Sequence, residues 1–489
     1  MIRELLSILI ITTASLLACA ALYWWFSADP GIEFSRRIPA PAKTRQTDTS
    51  KLNPLTWKEK KVNIRGTFTA GKGEVSNIPG SWPCFRGPSR DNVYRGPARI
   101  PEELPSDGPR TLWQIQLGNG YAGAAIHGGA VYILDYDEEK EADTLRKLSL
   151  DDGREIWNRG YQVKVKRNHG KSRTVPAVTD DFVVTMGPKC HVMCVNAANG
   201  DFLWGMDLVR EYGAEVPPWY TGQCPLIDGS TAVIAPGGSS LIMGVDCATG
   251  DILWKTPNPD QWKMSHACVT PFTVNGKKMF VYTAIGGIAG VSGEKENAGQ
   301  VLWKNTAWNH AVIAPSPVPL DNGKIFLTAG YGAGSMMLQV SEKNGTFNAT
   351  PLYTLSRKEF ACEQHTPIYY NSMLYTILPK DAGQYREQLA CMDPATREIK
   401  WRSGRQKRFG LGPFLIADNK ILALNDSGRL TICRAQSHAF EELASVKVLD
   451  GHEAWAPLAL TGGRLLLRDE KTMKCLNIGT GDPSHERTE

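Results

Sequence analysis

The sequence lacks the usual signatures of thiol, hydrolytic and zinc chemistry. It has no Cys-Cys dipeptide, no Cys-x-x-Cys pair and no Cys-x-x-Cys-His, so neither a redox motif nor a haem attachment is encoded. It has no Gly-x-Ser-x-Gly elbow and no His-x-x-x-His or His-x-His spacing, so a hydrolase nucleophile and a zinc-protease helix are excluded as readable signals. Charge of one sign is also scarce. The 55 basic and 50 acidic residues leave +5, which excludes a strongly basic nucleic-acid binder and an intrinsically disordered chain. No long amphipathic helical pattern follows the N-terminus. What is abundant is 47 Gly, 30 Pro and 14 Trp, a content of turn formers and aromatics that predicts many short strands.

Leu5 to Phe26 is an uncharged run of 22 residues ending in Tyr23-Trp24-Trp25-Phe26. At about 1.5 Å per residue it is long enough for a hydrocarbon layer of about 30 Å, with an interfacial aromatic end. Leu16-Leu17-Ala18-Cys19 is similar to a lipobox, which would make Cys19 a lipidated N-terminus. The apolar run continues past Cys19, however, as a signal anchor does and most lipoproteins do not. Both readings stay open. The charges of Arg3 on one side and of Arg36, Arg37, Lys43 and Arg45 on the other do not fix orientation. The other ten cysteines are scattered. Cys190 and Cys194 share a strand face at about 13 Å, too far for a disulfide, and most read as small buried hydrophobes.

A repeat organises the rest. Asp151-Asp152-Gly153-Arg154-Glu155-Ile156-Trp157 is echoed around Gly200 and Trp204, Gly250 and Trp254, and Gly299 and Trp303. A degenerate copy without the glycine ends at Trp401. Composition alone predicts Gly-x-x-x-Trp about once. Four copies instead place Trp at intervals of 47, 50 and 49, and Trp303 to Trp401 is two further steps. A second marker, proline before a β-rich run, has the same period, with aligned copies beginning at Ala124, Pro176, Pro225, Pro271, Pro317, Pro367, Pro413 and Pro457. These are eight units. Each reads as short strands joined by Asp-Gly or Asn-Gly turns. Units that cannot bury their faces alone must pack on one another, and a period near 48 fits a β-propeller. The five tryptophans are predicted to be mostly buried between blades. The last unit lacks its Trp segment, and Thr111-Leu112-Trp113-Gln114-Ile115 is the candidate to complete it.

The Asp-x-x-Thr-Gly-x-x-x-Trp blade ending resembles the tryptophan-docking repeat of the pyrroloquinoline-quinone-like propellers, a family that includes quinoprotein alcohol dehydrogenases and the outer-membrane assembly lipoprotein BamB. Ser81-Trp82-Pro83-Cys84-Phe85-Arg86-Gly87-Pro88-Ser89-Arg90 and Gly108-Pro109-Arg110-Thr111-Leu112-Trp113 are similar to the segments preceding the propeller in secreted bacterial members. The resemblance covers roughly 82–480 and implies an extracytoplasmic body. In the dehydrogenases a vicinal cysteine pair forms a ring over the quinone beside Ca²⁺. This sequence has no such pair, and their Glu, Asn and Asp ligands do not map onto it, so PQQ with Ca²⁺ is disfavoured.

In a propeller the segments entering the innermost strands surround the central channel. His169, His266, His310, His365 and His452 fall there, five of nine histidines. Lys171, Arg173, Tyr220, Gln223, Arg408 and Trp455 share the register, with the acids Glu363 and Glu453. They define a candidate ligand site at the funnel mouth, or a rim that is polar only because the channel is wet. The acidic run Asp135 to Glu141 lacks the EF-hand glycine and reads as a solvated hairpin tip. Gly170-Lys171-Ser172 lacks the earlier glycine of a P-loop.

These observations give an all-β chain: a signal anchor or transmembrane segment (1–26), a linker (27–80), an entry segment packing on the propeller (81–110), an eight-bladed propeller of four-stranded antiparallel blades (111–480) and a tail (481–489). We expect a monomeric binding or scaffold module for a protein or polymer, single-pass in the inner membrane and facing the periplasm. No catalytic or metal residues are assigned. A quinoprotein-like oxidoreductase of alcohols or sugars, and capture of a carbohydrate or polyanion by Lys171, Arg173 and Arg408, are the alternatives.

Overall fold

Short runs of alternating or wholly apolar residues, cut by glycine and asparagine turns, fold as antiparallel hairpins and stack about a common axis. A computed structural model describes residues 2–27, 61–166 and 171–479; His169, the tail 481–489 and most of the linker lie outside the described residues. The described residues from 62 to 479 form one compact unit of eight sheets, each built on four antiparallel strands. In the second blade the strands run Ala177–Val178, Phe182–Met186, His191–Asn196 and Phe202–Asp207 from the axis outward. In the eighth, Ala459–Thr461, Arg464–Arg468 and Thr472–Asn477 are completed by Thr111–Gln116, which pairs antiparallel with Thr472–Asn477. The ring is thus closed by strands from both ends of the propeller, as the orphan Trp113 predicted.

Each outer strand carries a register shift at an equivalent place. Trp157, Trp204, Trp254, Trp303 and Trp401 sit at it, as does Trp113. A bulge bends the strand and re-aims the side chain, here toward the next blade. The Trp113 indole lies against Gly153, Trp157 against Gly200, Trp204 against Gly250 and Trp254 against Gly299, and a β-carbon added at any of these glycines would come within 2.7–2.9 Å of the ring. All four glycines have φ of +71 to +84°, so they supply both the left-handed turn and the flat surface for the ring. The indole N–H groups bridge as well. Trp113 donates to Leu150 O at 3.0 Å, Trp204 to Cys247 O at 2.9 Å and Trp401 to Gln436 O at 2.8 Å. Trp157, Trp204, Trp303 and Trp401 are buried, whereas Trp254 is only partly so. All five are thus mostly buried, and the Trp254 ring stacks on Phe280 with centroids 5.8 Å apart.

The position missing a tryptophan between 303 and 401 is filled by Tyr353. It pairs with Met337 at the same register shift, and its hydroxyl donates to Pro394 O of the sixth blade at 2.8 Å. In the seventh blade the equivalent residue is Ala444. At that seam Lys474 donates to Val448 O at 2.9 Å, and Ile100 and Leu104 join the core cluster of Val446 and Val448.

One boundary expected from the sequence moves. Residues 61–80, expected to belong to the linker, are ordered on the propeller, and Thr67–Ala70 pairs with Glu155–Gln162 as a fifth strand of the first blade. Arg159, with its guanidinium on the Phe68 ring, donates to Arg65 O at 2.8 Å, and the Gly71 and Gly73 N–H groups donate to Ile156 O and Glu155 O at 2.8 Å, which holds it there. The entry segment does more than pack on the outside. Trp82 bridges Ile126 of the first blade, Val178 of the second donates to Pro83 O at 2.9 Å, and Arg90 reaches Ile227 O of the third at 2.8 Å. Arg86 reaches Pro367 O of the sixth at 2.7 Å, and Val93–Tyr94 adds in parallel to Phe414–Ala417 of the seventh. Residues 82–94 therefore cross the central channel as a plug bonded to inner strands on opposite sides of the ring.

Among residues 2–27 an α-helix runs Ile2–Ser27, with Leu16, Leu17, Leu22, Tyr23 and Trp24 exposed. Among the described residues no helix is long and apolar enough to cross a membrane.

Two outcomes are expected from thermal unfolding of purified protein. Trp204→Ala should lose about 3–5 kcal/mol, the cost of emptying a large buried aromatic site. Deleting residues 111–117 should lower Tm more than any single docking substitution, because it reopens the ring; an unchanged Tm would show that closure is dispensable.

Candidate functional site

The segments that lead into the innermost strands form a belt around the channel above the plug. The belt is stitched by backbone donors to the next blade's side chain. Val175 N–H donates to Cys224 Sγ at 3.2 Å, Cys224 N–H to Cys268 Sγ at 3.2 Å, Cys268 N–H to Ser316 Oγ at 3.0 Å and Ser316 N–H to Thr366 Oγ1 at 2.9 Å. From the third blade to the sixth, one small Cys, Ser or Thr acceptor per blade thus satisfies a buried amide that the ladder leaves over.

Above the belt is a cup of about 290 Å³ with Phe85 of the plug in its lining. Four aromatics wall it in two pairs. Tyr121 and Trp455 lie with centroids 5.1 Å apart, and Trp219 and Tyr331 stack at 5.8 Å. Arg173 lies over the Tyr121 ring at 5.4 Å and Lys380 over the Trp455 ring at 5.2 Å. The Tyr121 hydroxyl bonds Glu453, and the Trp455 indole donates to Asp426 at 2.7 Å. Trp219, Tyr331 and Glu453 hold φ of +54 to +59°. Bulky residues rarely adopt that conformation, and it is retained where surrounding contacts over-determine it. The rim is therefore built with its rings already aimed inward.

Burial governs the electrostatics. It holds the Arg173 guanidinium down to about 10, although still charged near neutrality, and pushes the Glu363 carboxyl up. Burial lowers His266 to about 4, with the Arg173 charge adding to it, and lowers His365 to about 4. Both imidazoles are neutral at pH 7. The cup thus presents two cations on aromatic faces and one carboxyl, Glu363, whose proton is held more tightly than usual.

Of the sequence candidates, the structure brings together Arg173, His266, Glu363, His365 and Trp455 in the lining. Six others lie elsewhere, His169 is outside the described residues, and Glu453 is not in the lining but accepts from the Tyr121 hydroxyl. Lys171 is buried under Glu138 and Tyr136. Gln223 turns into the third blade, bonding both Ala235 N–H and Ala235 O. Tyr220 points back to Lys166 O at 2.9 Å. His310 packs edge-on to Trp308 with centroids 4.4 Å apart, Arg408 folds onto Arg405 O at 3.1 Å, and His452 is exposed. Sequence reasoning missed Tyr121, Trp219, Tyr331, Lys380 and Phe85. Tyr121 and Trp219 share the register of the other candidates, three and six residues before the markers Ala124 and Pro225, whereas nothing in the repeat marks Tyr331.

A family model described as outer membrane protein assembly factor BamB matches residues 105–216 and 189–345. BamB from Moraxella catarrhalis superposes with a TM-score of 0.51 at 12% identity, over 75% of this chain and 99% of that one. The quinohemoprotein alcohol dehydrogenase from Comamonas testosteroni superposes with a TM-score of 0.55 at 12% identity, over 82% and 81%. A europium-containing methanol dehydrogenase gives 0.54 at 10% identity, over 80% and 89%. At these identities the likeness is one of fold. A search of curated proteins finds no match.

The donor set does not fit a quinone beside Ca²⁺. One carboxylate residue, Glu363, lines the cup, the two cysteines beneath it come from different blades, and no group of three or more His, Cys, Asp or Glu among the described residues is placed to hold a metal ion.

The lowered histidines give a pH prediction. An unfolded imidazole titrates near 6.5, and His365 in the fold near 4, so unfolding takes up a proton between these values. The contribution of neutral His365 is whole above about 6.5 and is lost as pH falls toward 4. The Tm advantage of the wild type over His365→Asn should shrink across that window; parallel Tm curves would contradict it.

Proposed function

We propose that this chain, which belongs to the PQQ-like, tryptophan-docking β-propeller repeat family, is a membrane-anchored extracytoplasmic binding module whose cup receives part of a protein or polymer partner. The observation that carries this reading is the cup itself: four rings, two of them bearing cations, above a channel stopped by residues 82–94. A stopped cup suits a chain end or a projecting side group, since nothing can thread through it. Aromatic faces with Arg173 and Lys380 suit an anionic group attached to a flat apolar surface, as an acidic sugar presents. The polyanion alternative therefore moves from Lys171 and Arg408 to Arg173 and Lys380.

The uncharged Leu5–Phe26 run, its helix and its exposed leucines and aromatics support the anchor, and the assembly-factor description of the family model supports a place outside the cytoplasm. The oxidoreductase reading keeps one point in its favour, the likeness to two alcohol-oxidising enzymes, and has the donor set against it.

Full-length protein mixed with the quinone and Ca²⁺ should give neither a bound-quinone spectrum nor dye reduction with an alcohol; a positive result would replace the binding reading with the enzymatic one. Titration with an acidic oligosaccharide should quench tryptophan fluorescence, and Lys380→Ala should weaken that binding by about tenfold, equivalent to about 1.4 kcal/mol. Equal binding of a neutral oligosaccharide would remove the anionic part of the proposal.

A further inference from the structure

Beneath the cup, Cys224 and Cys268 also line a second, smaller cavity of about 20 Å³, together with Cys84, Arg86 and Arg90. This cavity is lined by two guanidinium groups and three thiols, and by no carboxylate. Arg86 is buried, donates to the carbonyls of Pro367 and Asp91, and its Nε has no partner. A buried cation is costly unless opposite charge lies near it, and around Arg86 that charge comes from Asp91 outside this cavity and, inside it, from the Cys268 thiol.

The three thiols are not equivalent. Cys268 Sγ accepts the Cys224 N–H at 3.2 Å and has the Ser316 hydroxyl beside it, on the oxygen that accepts Cys268 N–H at 3.0 Å. Cys224 Sγ accepts only the Val175 amide at 3.2 Å, and Cys84 Sγ donates to Gly87 O at 3.2 Å. Hydrogen bonds and the Arg86 charge pull the Cys268 thiol down, whereas burial pushes Cys224 and Cys84 up. Donors and a nearby guanidinium are what turn a thiol into a reactive thiolate.

We propose that Cys268 is a reactive thiolate in the floor of the cup, with Cys224 as its resolving thiol, and that the pair reacts with small disulfides entering from the funnel. The Cys268 thiolate attacks one sulfur of the incoming disulfide; the S–S bond breaks and one half leaves as a thiolate. The Cys224 thiol then gives up its proton to solvent and attacks the Cys268 sulfur, expelling the second half. Two protein thiols are oxidised to a Cys224–Cys268 disulfide, and the incoming disulfide is reduced to two thiols. The two cysteines belong to adjacent blades, so this bond would tie the third blade to the fourth at the base of the ligand cup. The inference does not depend on which partner the cup binds.

The belt supplies clean variants. Ser316 and Thr366 fill the same acceptor place in neighbouring blades, so Cys224→Ser and Cys268→Ser keep an oxygen acceptor there and should melt close to the wild type. The probe is 4,4′-dithiodipyridine, added to full-length protein in a Cys19→Ser background because Cys19 is exposed. The expected result is a fast phase releasing two equivalents of thiopyridone, about tenfold or more faster than the remaining buried thiols, with the Cys224–Cys268 disulfide identified by peptide mapping. Cys268→Ser should abolish the fast phase. Cys224→Ser should cut it to one equivalent and leave a stable mixed disulfide on Cys268. A fast phase that survives Cys268→Ser, or no fast phase in folded wild-type protein, would overturn the proposal.

Discussion

The contact on which the rest of the molecule depends is an aromatic ring laid on the turn of the next blade. A four-stranded sheet has two faces to cover and two edges to protect, and it cannot do either alone. The bulge at each outer strand turns one residue out of the pleat, and a glycine with positive φ in the following blade presents a surface without a side chain. Where both are present the ring lies against the glycine, and the N–H groups of Trp113, Trp157 and Trp204 find a carbonyl of the following blade. The contact recurs around the ring with Trp, once with Tyr353, and fails once at Ala444, where the entry segment and Lys474 cover the seam instead. Blade count, ring closure and the position of every inner strand follow from it.

The cup inherits its geometry from that ring. Inner strands fixed by the docking belt bring one loop per blade to the axis, and the small acceptors at positions 224, 268, 316 and 366 hold adjacent loops together. The plug closes the channel below. Aromatic and cationic groups from the first, second, third, fifth, sixth and eighth blades then face a common space that no single hairpin could form. The same closeness buries histidines and thiols, so their protonation is set by the fold.

Much of this was legible in the sequence because the docking contact needs two residue types at a fixed spacing. Gly-x-x-x-Trp at intervals near 48 gave the blades, and an unmatched Trp113 gave the closing strand. What stayed hidden lacks such a period. The plug is held by Arg86, Arg90 and Asn92 donating to carbonyls up to 322 residues away, and carbonyls leave no trace in a sequence. Strand Thr67–Ala70 is exposed along its length and so shows no apolar pattern. The channel register found Arg173, His266, Glu363, His365 and Trp455, but side-chain direction decided the outcome for the others. Lys171 and Gln223 lie in the same loops, but Lys171 turns onto Tyr136 and Glu138 of the first blade and Gln223 into the third. Trp219 and Tyr331 reach the cup only through left-handed backbone, which composition does not reveal.

The docking contact is tested most directly by adding one methyl group at two glycines. Gly200 and Gly345 have φ of +74° and +79°, so alanine carries the same backbone penalty at each. A β-carbon at 200 meets the Trp157 ring at 2.9 Å, whereas at 345 nothing lies within 4 Å. Denaturant unfolding of Gly200→Ala and Gly345→Ala should show a clearly larger loss at 200. Equal losses would mean that the ring on the turn contributes little, and the account of how the blades are held would fail.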